Sequence, residues 1–105
     1  MNIYWLSFRI AEVNTTKGDY SARYQALIDA LESVVVGGWW VETSAFLVFR
    51  SAKSADEIAG LVKAVIATNQ DIVLIGMPHV KTMRLVGAAK DAGTLQALVD
   101  FMKKV

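Results

Sequence analysis

Ser54, Ala55, Asp56 and Glu57 form a full capping box, and an apolar stripe follows it at Ile58, Leu61, Val62, Val65 and Ile66. The serine hydroxyl can accept from the amide of Glu57, whose carboxylate can reach back to the amide of Ser54. The i, i+3, i+4, i+7, i+8 spacing makes one face of the resulting helix apolar, and that face must be buried against another element. Thr68 to Gln70 ends the helix. On either side of it the chain reads as strand, so the covering element is a sheet.

Ile3 to Ile10 alternates, with Tyr4, Leu6, Phe8 and Ile10 on one face and Ile3, Trp5, Ser7 and Arg9 on the other. A polar loop from Asn14 to Asp19 leads to a second amphipathic helix. Asp19 or Ser21 caps it, Tyr24, Leu27, Ile28 and Leu31 form its stripe, and it ends near Ser33. Gly37 and Gly38 follow. Trp39 to Thr43 and Ala45 to Arg50 then read as two strands joined by a tight turn at Thr43 and Ser44, or else as one longer bent strand. Ile72 to Met77 is a nearly continuous apolar strand closed by Pro78, which implies burial on both faces. Thr82 to Val86 reads as a short fifth strand. Leu95, Leu98, Val99 and Met102 give a last helix, with Lys103 and Lys104 suited to its C-terminal dipole.

The order is β-α-β-β-α-β followed by a short strand and a helix. It predicts an α+β, ferredoxin-like sandwich: an antiparallel sheet with both main helices on one face. The 105 residues make one domain, with a core over about 1–77 and a C-terminal extension over about 78–105. Hydrophobic residues are 54% of the chain and charged residues 20%, which excludes a disordered chain. The net charge of +1 gives no bulk drive toward nucleic acid, so an RNA partner would need a local patch. With no cysteine, disulfides, iron–sulfur clusters and thiolate zinc sites are excluded. No apolar run is long enough for a membrane helix, and no signal-peptide pattern opens the chain. A cytoplasmic protein with no membrane partner is expected.

Candidates for chemistry are few. His79 is the only histidine, too few for a histidine metal site, and it reads as a loop residue. Gly37, Gly38, Gly76, Gly87 and Gly93 match neither a phosphate loop nor a dinucleotide fingerprint, so no cofactor is expected. Trp39 and Trp40 point to opposite sides of a strand and cannot make one stacking platform. Trp5 shares its face with Ser7 and Arg9, and an aromatic beside an arginine suits a protein interface or RNA. Glu12, after the first strand, and Glu42, before the hairpin turn, are the carboxylates best placed for metal chemistry, and Glu42 reads equally as a solvated turn residue. Lys81, Arg84 and Lys90 form a thin basic run, with Arg84 a candidate contact.

Apolar residues on both faces of Ile72–Met77, together with Ile3 and Trp5, predict a homodimer. Its contact would be the open sheet face and the last strand, with Thr82–Val86 pairing to a sheet edge of the second chain. In the competing arrangement the C-terminal helix folds back, and Leu95, Leu98, Val99 and Met102 cover Trp5 within one chain.

Three stretches carry a resemblance: Asp19-Tyr20 leading Tyr24–Leu31, Trp39–Val48 with Thr43-Ser44 at its turn, and Ser54–Ile58 opening a helix that ends before Asn69–Ile75. Over about residues 1–77 the chain resembles small ferredoxin-like proteins related to virulence-associated protein D and the small CRISPR-associated adaptation subunit. The resemblance implies a dimeric ferredoxin-like fold and, in some members, metal-dependent nuclease activity through an aspartate near the end of the first strand. The aligned position here is Arg9, a cation where a ligand is needed, so no metal site is expected. The expected function is a binding or structural module. The alternative is a toxin-type or CRISPR-associated-type ribonuclease using Ser7, Glu42 or Ser44.

Overall fold

The computed structural model describes residues 1–105. Its elements are β1 (Asn2–Arg9), α1 (Tyr20–Glu32), β2 (Phe46–Ser51), α2 (Ala55–Val65), β3 (Ile72–Gly76), β4 (Met83–Gly87), α3 (Ala92–Leu98) and β5 (Met102–Lys104). They form one five-stranded sheet in the order β2-β1-β3-β4-β5. β1 is antiparallel to β2 and β3, β3 is antiparallel to β4, and β4 is parallel to β5. This is an α+β, ferredoxin-like fold extended by α3 and β5.

The alternation in β1 sets the layers. Tyr4, Leu6 and Phe8 point to the helix side, where they join Leu47, Phe49, Val73 and Ile75. From α1, Leu27 and Leu31 meet them, and from α2, Ile58, Ala59 and Val62. Both stripes thus lie on one sheet face, with Ile28 and Leu61 half-buried at the margins. Each large aliphatic fully buried here contributes roughly 1.5–3 kcal/mol. The α2 capping box forms in full, with the Glu57 amide donating to Ser54 Oγ and the Ser54 amide donating to Glu57 Oε1, each at 3.1 Å. Asp19 caps α1 by accepting from the amide of Ala22.

Three expectations change. Trp39–Thr43 is not a regular strand. It touches β2 at one isolated bridge, Trp40–Val48; a second, Val35–Ser51, lies on the other side of Gly37 and Gly38, which break the pleat between the two. The tight turn that follows passes through Ala45, at a φ of 54°.

The last helix stops at Leu98, and Met102, Lys103 and Lys104 enter β5 instead of capping it. Pairing with the free side of β4 satisfies backbone groups that another helical turn would have left to water. Gln96 Nε2 fastens the reversal by donating to the carbonyls of Val99, Asp100 and Met102. The predicted fifth strand exists as β4, yet it lies inside the sheet between β3 and β5 and offers no edge to a second chain. Val86 belongs to the main core, so residues beyond 77 complete the domain.

At the end of β4 the backbone itself demands glycine. Gly87 has φ of 105°, and a Cβ there would lie 1.9 Å from the carbonyl oxygen of Asp71. Gly87→Ala is expected to destabilise the fold by more than about 1 kcal/mol in urea unfolding. Gly60→Ala, at an exposed position of α2 where a Cβ meets nothing within 4 Å, should stabilise by about 0.5–1 kcal/mol in the same assay.

Candidate functional site

A buried ion pair fixes one end of the sheet. Arg23 enters from the first turn of α1 and Asp71 from the residue before β3, both fully buried. Asp71 Oδ2 accepts from Arg23 Nε at 2.9 Å and from the Ala67 amide at 2.8 Å. Its Oδ1 accepts from Arg23 Nη2 at 3.1 Å and from the Ala11 amide at 2.9 Å. Arg23 donates its other protons to the carbonyls of Val13, Gly18 and Ala11. All five guanidinium N–H groups are thereby used, and no buried side-chain polar atom lacks a partner.

Burial pushes the Asp71 carboxyl up, but the bonds from Arg23 and the two amides hold it below its ordinary value. The bond to Asp71 likewise holds Arg23 above its own, against burial. Arg23 was legible only as a charge in line with Leu27 and Leu31, at i, i+4, i+8 on the core stripe.

The other notable surface is the sheet face away from α1 and α2. Register places Ile3, Trp5, Ser7 and Arg9 of β1 there, beside Phe46, Val48 and Arg50 of β2 and Ile72, Leu74 and Gly76 of β3. The right-handed β4–α3–β5 crossover puts α3 over this same face, at its β3–β4 side. Leu85 is buried there, and Leu95 and Leu85 line one groove of about 360 Å³ with Leu74.

The β1–β2 side stays uncovered. Trp5 lies against the bare backbone of Gly76, where a Cβ would meet its ring at 2.1 Å. Its ring stands 6.3 Å from that of Phe46 at 20°, and Trp40 packs edge-on to Phe46 at 6.2 Å. Trp39 turns the other way, into a cleft with Phe8, Tyr24 and Ile28. Arg9 and Arg50 are exposed at the two ends of this face, and Asp91, at the start of α3, lines the same groove as Arg9.

Ser7 is exposed in mid-β1 opposite Phe46. Glu42 and Ser44 lie in the exposed loop that the Phe8 amide ties down through the Ala45 carbonyl at 3.0 Å. The three share a corner of the sheet, with no side-chain hydrogen bond between them. His79 is in the β3–β4 turn, at the other end of β1. Arg84 leaves the group altogether. It points to the helix side, where its Nε donates to Asp56 Oδ1 at 2.7 Å and holds that carboxyl below its ordinary value. Glu12 is exposed in the loop after β1. No three His, Asp or Glu side chains converge on a point that could hold a metal ion. No helix is long and apolar enough to cross a membrane.

Searches of protein-family models, curated proteins and solved structures found no match to this chain.

Arg23→Met would leave Asp71 charged, buried and unpaired, and is expected to cost about 3–5 kcal/mol in urea unfolding at pH 7. The folded Asp71 carboxyl lies below its unfolded value of about 3.9. Its stabilisation is therefore complete above that pH and is lost as pH falls through the lower, folded value. In acid titrations of stability, Asp71→Asn should lack this component.

Proposed function

We propose that the chain is a homodimeric binding module, with the uncovered side of the open sheet face as its contact surface. One observation carries the reading. Trp5, Phe46, Val48, Ile3 and Trp40 form a continuous aromatic and aliphatic patch that the chain's own α3 does not cover. Small soluble domains avoid leaving such patches in water. The patch has aromatic residues at its centre and arginines at its rim, the composition common in protein interfaces.

The reading does not include metal-dependent nuclease chemistry. The position that the resemblance assigns to a metal-binding aspartate is Arg9, which repels a divalent cation. The ribonuclease alternative draws on the shared corner of Ser7, Glu42 and Ser44. That corner has no histidine to move a proton, since His79 is at the far end of β1.

Size exclusion with light scattering should give a dimer mass at micromolar concentration, and Trp5→Glu should shift it to monomer. A monomeric wild type would reject the reading, and a Trp5→Glu dimer would place the contact elsewhere. Labelled RNA should stay intact with or without magnesium. Cleavage that disappears in Glu42→Gln would establish the ribonuclease instead.

A further inference from the structure

The cleft that Trp39 enters is walled by aromatic rings. It measures about 270 Å³, and four rings line it, each from a different segment. Phe8 comes from β1, Tyr24 from α1, Trp39 from the connection between α1 and β2, and Phe46 from β2. Phe8 and Tyr24 meet edge to face, with centroids 5.5 Å apart. No lining residue is charged, and among the lining side chains only Tyr24 and Thr43 carry an oxygen.

The chain around this cleft is acidic. From Tyr24 to Phe49 it carries Asp29, Glu32 and Glu42 and no lysine, arginine or histidine, in a protein of net charge +1. Glu32 continues the row Tyr24–Ile28 along one side of α1, and Glu42 lies between Val41 and Thr43, which both line the cleft. Glu32 and Glu42 are exposed and take part in none of the chain's ion pairs. Asp29 already accepts from Gln25 Nε2 at 2.8 Å. The neighbouring cations are engaged elsewhere or face away. Arg23 is paired with Asp71, and Lys17 donates to the Ala64 carbonyl. Arg9 and Arg50 lie on the open sheet face, Arg9 in the groove with Asp91 and Arg50 in a separate one that also borders Trp39.

Aromatic faces are negative and attract cations, most strongly where water is excluded. A primary ammonium has three N–H donors to satisfy, and the hydroxyls of Tyr24 and Thr43 are too few for it. A quaternary ammonium has no N–H and presents its charge through methyl groups, which suit an apolar wall. A methylated lysine in a peptide would also need partners for its main chain. The adjoining outer side of β2 has none to offer, because Trp40 and Val48 already exchange both their bonds and the Val36 amide donates to Arg50. A small free ion needs no such edge.

We propose that this cleft binds a small free quaternary ammonium ion of the choline type. Phe8, Tyr24, Trp39 and Phe46 surround its methyl groups, and Glu32 and Glu42 supply negative charge at the mouth. All of these residues belong to one chain, so a monomer binds the ion as a dimer does, and the proposal does not depend on the homodimer reading above.

An NMR titration with choline tests it, read at the amides of Tyr24 and Ala45 and at the Trp39 indole N–H. The comparison ligand is neohexanol, the uncharged isostere with carbon in place of nitrogen. Choline should bind with a Kd of about 1 mM or below, in keeping with its few heavy atoms. Neohexanol should bind about tenfold more weakly or worse, since it lacks the charge that the rings attract. Trp39→Leu keeps an apolar wall but removes a ring, and should lower choline affinity about tenfold with circular dichroism unchanged. The Glu32→Gln, Glu42→Gln double variant should lower it about threefold, an effect that added salt reproduces in the wild type. Choline that shifts none of these signals, or neohexanol that binds equally well, overturns the proposal. So does full choline affinity in a folded Trp39→Leu variant. If that variant does not fold, the choline and neohexanol titrations of the wild type decide alone. A trimethyl-lysine peptide that binds about tenfold more tightly than choline overturns the free ion as occupant.

Discussion

The Arg23–Asp71 pair holds five segment ends at one point. Through Ala11 it fixes the chain leaving β1, and through Val13 and Gly18 it shapes the loop into α1. Through Ala67 it fixes the exit from α2, and the Asp71 carbonyl accepts from the Ala88 amide at 2.8 Å just after β4. A buried ion pair contributes little net stability by itself, because desolvation offsets much of its attraction. Its value here is geometric. Arg23 spends its five donors on four residues, so the loop from 11 to 18 can close over the core without stranding its carbonyls. That loop has no large apolar residue in the core to hold it otherwise.

Much of the architecture was legible because local and global signals agreed. The capping box at Ser54, the stripes of both main helices and the alternation in β1 each follow from one rule and lead to one sheet face. The failures have a common cause, which is competition for backbone hydrogen bonds that sequence does not reveal. Residues 39–43 look like strand but obtain only the one bridge at Trp40. Residues 99–104 look like helix but find a free side of β4. The parallel pairing of β5 is a tertiary choice, and nothing at Met102 to Lys104 announces it.

The two notable places differ in how they could be read. Alternation alone put Trp5, Ser7 and Arg9 together, and the register added Phe46, Val48 and Arg50. Arg84 could not be assigned a side, since a residue's face in β4 depends on how the hairpin from β3 closes. The Arg23–Asp71 pair was out of reach for a different reason. Its partners are 48 residues apart, and most of its acceptors are backbone carbonyls, which every sequence contains.

All three tryptophans lie at the β1–β2 side of the molecule, around one phenylalanine. Trp5 and Trp40 contact Phe46 directly, and Trp39 lines a cleft with it. None lies in α3 or β5. Intrinsic fluorescence therefore reports on one half of the domain and is silent about the other. If the C-terminal helix and strand detach before the rest unfolds, an emission trace will show a single clean transition and miss the first event. Amide exchange at Val99, Met102 and Val105, whose N–H groups bond to Leu95, Val99 and Leu85, reads the part that light emission does not.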